Sequence, residues 1–192
     1  MPLIQKRNYL KNQVSLALGI EKGSLIDFET TGLLKDKEHE IVVFGYIVAN
    51  RLIILGRRSK EKGPYYSEIR RVIKKLPKPF YAYNVGFERG ILGIELGISS
   101  ETSRFIDLQT PWRSEADAKG LKWPKLDELI PEQEEHFEGI RIGGKDIPGL
   151  WKAYLSSDSE NLLRMIMQHN LADLLRETIL LLLHPEIARE EK

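Results

Sequence analysis

At 192 residues, 42% apolar and 30% charged, the chain has the length and composition of one globular α/β domain with a substantial core. It contains no cysteine, which excludes disulfides, thiol catalysis and cysteine-held zinc, so any metal must sit on oxygen or histidine. A net charge of +1 is too small for a protein that grips nucleic acid mainly by counterion release, and no apolar run reaches ~20 residues, so a soluble, cytoplasmic protein is expected.

Between residues 10 and 20, Leu10, Val14, Ala17 and Leu18 fit a helical stripe, while Val14, Leu16, Leu18 and Ile20 fit strand alternation. We expect a short helix ended by Gly19, within an N-terminal helical extension spanning residues 1–23. A strand follows from about Ser24 to Phe28. Side chains alternate along a strand, so Asp27 and Glu29 leave on one face while Ile26 and Phe28 leave on the other. Two like charges at the end of a buried strand repel and lose hydration unless a cation lies between them. Carboxylate oxygens suit hard divalent ions such as Mg²⁺ or Mn²⁺.

Glu40 to Ala49 and Leu52 to Arg57 read as a hairpin across Asn50-Arg51. Ile69, Val72, Ile73 and Leu76 make the stripe of an amphipathic helix that Pro77 and Pro79 stop. Phe80 to Tyr83 is a short strand, Gly86 to Leu96 a helix, and Arg104 to Leu108 another strand. Three antiparallel strands followed by α-β-α-β is the element order of the RNase H-like fold: α/β, with a mixed five-stranded sheet flanked by helices. Trp112 to Gly149 reads as a surface excursion with one short helical stripe at Leu126, Leu129 and Ile130. From Ser157 the pattern is helical to Leu183. The domain is placed at 24–184, with a polar tail at 185–192.

Basic residues gather at Arg57, Arg58, Lys60 and Lys62 and again from Arg70 to Lys78; acids gather at Asp127, Glu128, Glu132, Glu134, Glu135 and Glu138. This is compatible with a nucleic-acid partner. Trp112, Trp123 and Trp151 are candidates for stacking on bases or for the core.

Asp27-Phe28-Glu29-Thr30-Thr31-Gly32-Leu33, after an apolar strand, resembles the first motif of the DEDD exonucleases, the proofreading and RNA-trimming group with the RNase H-like fold. Asn84-Val85-Gly86-Phe87-Glu88 resembles their second motif, with Glu88 where Asp is usual. His169-Asn170-Leu171-Ala172-Asp173 resembles the third, with the four-residue spacing of the tyrosine subfamily but His169 in place of its tyrosine. Gly120-Leu121-Lys122 and Ile147-Pro148-Gly149-Leu150-Trp151, followed by Tyr154, resemble a bacterial and archaeal exonuclease-like branch.

The resemblance implies a 3′–5′ exonuclease that hydrolyses DNA or RNA, with single-stranded 3′ ends as its partners. Asp27, Glu29, Glu88 and Asp173 would hold two Mg²⁺ or Mn²⁺ ions, and His169 would act as general base. Thr30, Thr31 and Asn84 would contact substrate, and Asp107 would support the metal ligands from behind. Asn84 also fits the N-cap of its helix, and Glu88 a first-turn acid favoured by the helix dipole. Two other readings remain: a structure-specific endonuclease on the same fold, and a decayed site kept as a nucleic-acid- or protein-binding module.

Overall fold

The computed structural model describes residues 8–33, 39–99, 104–130 and 142–185. The first seven residues, the polar tail beyond 185 and the acids Glu132, Glu134, Glu135 and Glu138 lie outside them. The elements run β1 (Tyr9–Thr30), β2 (Ile41–Arg57), α1 (Gly63–Ile73), β3 (Phe80–Ala82), α2 (Val85–Ile94), β4 (Phe105–Asp107), α3 (Thr110–Ala118), α4 (Leu126–Leu129), a 3₁₀ turn (Gly144–Asp146), α5 (Ile147–Ser157) and α6 (Glu160–Leu183). They form one mixed sheet in the order β2-β1-β3-β4, with β1 antiparallel to β2 and parallel to β3, and β3 parallel to β4. No helix among the described residues is long and apolar enough to cross a membrane.

The first two strands are bent, and the bends widen the sheet. A straight strand of β2's length would separate its ends by roughly 50 Å. Yet Arg57, its last residue, donates from Nη2 to Glu40 Oε2 at 2.6 Å, just before its first. β2 therefore doubles back at the exposed turn around Ala49, Asn50 and Arg51, with Ala49 at a positive φ of 50°. This is the hairpin that the sequence spacing predicts. β1 wraps round that turn: Tyr9–Ser15 pairs with Arg57–Arg51, Ile20 with Ala49, and Leu25–Glu29 with Ile47–Val43. The five expected strands are all present as rows.

From Tyr9 onward the N-terminal extension is strand, not helix. Both periodicities were available in residues 10–20, and pairing decides between them: Tyr9–Ser15 supplies hydrogen-bond partners to Arg51–Arg57, which would otherwise be an open edge. A second difference is α3, which the sequence pattern did not show because Ala116 is its one buried residue. The stripe at Leu126 and Leu129 does form a helix, the four-residue α4.

Alternation along β1 divides the core. Ile26 and Phe28 face α1 and α2, in a cluster with Phe44, Tyr46, Ile69, Val72, Ile73 and Leu92. Leu25 faces α5 and α6, with Val43, Ile47, Trp151, Leu163, Ile166 and Leu174. Each such side chain contributes about 1.5–3 kcal/mol when fully buried, so α6 is held to the sheet chiefly by this second cluster. Asp27 and Glu29, in phase with Leu25, are thereby aimed at α6. Trp151 is core rather than a stacking surface, and Arg57 leaves the expected basic patch: it is fully buried, paired with Glu40 and stacked 4.6 Å over the Trp151 ring.

Gly45 sets how closely α6 approaches. A Cβ there would lie 1.9 Å from Asn170 Oδ1 and 2.6 Å from Leu174 Cδ1. Gly45→Ala should therefore destabilise the fold by about 1–3 kcal/mol, the usual cost of overpacking. Gly93→Ala, in an exposed helix interior with open space around the new Cβ, should stabilise it by about 0.5–1 kcal/mol. Paired urea melts of the two variants check both signs.

Candidate active site

The end of β1 is fixed by Thr31 N donating to Glu40 O at 3.0 Å and by Thr30 Oγ1 donating to Gly32 O at 2.6 Å. Thr31 Oγ1 accepts from Glu40 N at 2.9 Å. Both threonine hydroxyls are thus committed to these bonds, although the two residues line the cavity described below. Asp27 lies two residues before Glu29 and meets α6 directly: Asn170 Nδ2 donates to its Oδ2 at 2.6 Å and to its backbone oxygen at 3.3 Å. Burial first, and the charge of Asp173 second, push the Asp27 carboxyl up to about 8.

Glu29 is 6% exposed, and its carboxyl is raised well above the ordinary range by burial and then by Asp27, Asp173 and Glu88. His169 Nε2 stands 3.8 Å from Glu29 Oε1 and 3.6 Å from Asp173 Oδ2. One ligand atom from each of Glu29, His169 and Asp173 falls within 4.8 Å of the others, the one such group of three among the described residues. α6 is continuous through Asn170, so residues 169 and 173 share a face as i, i+4 spacing requires. Asp173 is raised by burial, against which His169 and Arg176 pull; Arg176 Nη1 donates to its Oδ1 at 2.5 Å.

These groups stand at the wall of a cavity of about 1070 Å³, whose other walls include Phe87, Lys125, Lys145 and Pro148. Glu88 does not line it. It is buried, 3% exposed, with Oε2 lacking any hydrogen-bond partner. Burial and then Asp27 raise its carboxyl well above the ordinary range. Asn84 stands at the N-cap position of α2 but is left-handed, at φ 63° and ψ 56°, and makes no side-chain cap. It is exposed and outside the cavity wall, so the expected cap is absent. Left-handed backbone suits asparagine better than most residues. Asp107 spends both oxygens on its surroundings, accepting from Asn84 N at 3.0 Å, Gln109 N at 2.9 Å and Arg113 Nη1 at 2.8 Å. It pins the turn before α2 and does not face the cavity.

Two residues that matter here were not singled out for the site from the sequence. Asn170 is fully buried and orients Asp27; Glu177 is 2% exposed and lies one turn beyond Asp173 on α6. The signal was available, since both fall on the buried stripe of α6 with Ile166, Leu174 and Leu180, where apolar residues are the rule. The unpartnered buried oxygens of Glu88 and Glu177, together with so many repelling carboxyls, fit hard divalent ions held by oxygen ligands.

These shifts make a stability statement. A carboxyl raised in the folded state stabilises the fold below the ordinary carboxylate range, and that contribution is lost as pH rises through the folded value, about 8 for Asp27. Glu68, held below its usual value first by its hydrogen bond to Arg71, acts the other way but only in stronger acid. The melting temperature of metal-free protein should therefore fall from pH 5 to pH 8. Asp27→Asn should flatten that slope and melt higher than wild type at pH 8, as a calorimetric scan in chelator would show.

Searched against curated proteins, the chain matches none. A sequence model of the RNase H superfamily matches residues 25–182, which spans β1 from Leu25 to nearly the end of α6 and includes every acid described above. With that match over most of its length, the chain belongs to the RNase H superfamily.

Proposed function

We propose that this chain is a metal-dependent 3′–5′ exonuclease of the DEDD branch, acting on single-stranded DNA or RNA ends. The observation that carries the reading is the convergence of Glu29 from β1 with His169 and Asp173 from α6, ligand atoms within 4.8 Å, at the wall of the large cavity. Asp27, Glu29, Glu88 and Asp173 are the residues that would hold two Mg²⁺ or Mn²⁺ ions. When bound, such ions supply the positive charge that a phosphodiester and its leaving oxygen need.

The chain's own groups do the rest. Asn170 holds Asp27 through one hydrogen bond to its carboxyl and one to its backbone oxygen, and keeps the carboxyl aimed at α6. Lys125 and Lys145 line the same cavity and suit the phosphates of an incoming strand, contacts that position without reading sequence. Phe87 offers a ring to a terminal base. His169 Nε2, between two carboxylates, is placed to accept the proton of the attacking water as the water oxygen bonds to phosphorus and the 3′ oxygen leaves.

A 5′-labelled single strand incubated with Mn²⁺ should yield a ladder of products shortened from the 3′ end, and Asp27→Ala and Asp173→Ala should each abolish it while the protein stays folded. One discrete product would mark endonucleolysis instead, and retention of near wild-type cleavage by either variant would remove that residue from the site.

His169→Ala should lower the rate by roughly 10² to 10⁴, the worth of a positioned base, with Mn²⁺ affinity unchanged. A matching loss of affinity would make His169 a ligand. Cleavage within a few-fold of wild type would make it a packing residue.

A further inference from the structure

Glu177 stands outside all three motifs that the site was read from, and its surroundings do not suit a packing residue. It is 2% exposed, on the α6 stripe that elsewhere carries Ile166, Leu174 and Leu180. Its Oε1 accepts from Tyr83 N at 2.7 Å, while its Oε2 is buried with no hydrogen-bond partner. A structural acceptor for one backbone N–H needs one oxygen and no charge; glutamine would serve, and the second oxygen of glutamate is surplus to that task.

Leu25 lies beside Tyr81 at the last paired position of β1 and β3, and Asp27 and Tyr83 each follow two residues beyond it. The Asp27 carboxyl points to the α6 side, where Asn170 holds it. Tyr83 also leads directly into α2, whose first turn carries Glu88, with its own buried and unpartnered Oε2. Through Tyr83, Glu177 thus reaches the junction of β3 and α2. Asp27 also lines the cavity with Glu29 and Asp173, whereas Glu88 and Glu177 do not.

We infer, resting on the metal-dependent reading above, that Glu177 is a fifth carboxylate ligand that closes an inner divalent-ion position with Asp27 and Glu88. Burial first, and then the charges of Asp27 and Glu88, raise the Glu177 carboxyl well above its ordinary range. The three repel one another in the metal-free chain and stand wider apart than the 4.8 Å group of Glu29, His169 and Asp173. Glu88 is longer by one methylene than the usual aspartate of its motif and is buried outside the cavity lining. A partner acid from α6 completes a site displaced inward by that extra length.

Glu177→Gln tests this, because it keeps the oxygen that Tyr83 N–H needs and removes only charge. Mn²⁺ titrations by calorimetry on metal-free wild type, Glu177→Gln and Asp27→Ala should show two ions in wild type. In Glu177→Gln one ion should remain near wild-type affinity and the other weaken by at least ~10- to 100-fold, the range that loss of even an outer partner of a ligand causes. Metal-free Glu177→Gln should also melt higher than wild type at pH 8, having lost a buried carboxyl whose ionisation the fold opposes. Equal affinity for both ions in Glu177→Gln and wild type would overturn the inference and leave Glu177 a backbone acceptor. Should the Gln variant fail to fold, Glu177→Asp decides: a weakened second ion supports the role, and unchanged binding overturns it. Failure of wild type to bind Mn²⁺, or of Asp27→Ala to lose it, would sink the metal reading itself rather than the place of Glu177 within it.

Discussion

Five carboxyl groups, those of Asp27, Glu29, Glu88, Asp173 and Glu177, are packed around the end of one strand, and their mutual repulsion under burial is the constraint that the rest of the fold must withstand. Water would separate such groups if it could. Two features of this chain oppose it. Arg176 and His169 bring positive or proton-binding groups against Asp173, and the two apolar clusters lock β1 between helices so that its acids have no freedom to swing away.

The clusters and the acids come from one periodicity. Alternation along β1 sends Ile26 and Phe28 into one cluster and Leu25 into the other, and the same alternation delivers Asp27 and Glu29 to the α6 side. α6 answers with its own period: Ile166, Leu174 and Leu180 hold it to the sheet, while Asn170 and Glu177 on the same stripe address the acids. Packing and chemistry share the same two surfaces. A loss in either is a loss in both.

That sharing explains what could be read beforehand. Asp27 and Glu29 were legible because two charges inside an apolar run contradict the run, and His169 with Asp173 because helical spacing puts them on one face. The hairpin at Ala49 to Arg51 was legible from its spacing. Residues 9–15 were not, since a segment with both periodicities is decided by a partner strand more than thirty-five residues away. Asn170 and Glu177 escaped for the opposite reason: in a helix rich in leucine, single polar residues on the buried stripe look like exposed ones until the stripe is phased against the sheet. Asn84 and Asp107 were assigned to the site by motif and location; the structure joins them at the turn before α2, outside the cavity wall, with the Asp107 charge still acting on Glu88.

α6 is a single unbroken rod of 24 residues. Its residues 169, 173 and 177 are therefore spaced like marks on a ruler, about 6 Å apart along the axis. Inserting or deleting one residue between them would turn every later mark by about 100° and carry Glu177 away from Tyr83. Length changes at the exposed tip of β2, between Val48 and Leu52, would instead alter a turn that touches none of the acids. In descendants of this chain, the helix should hold its length while the hairpin tip is free to drift.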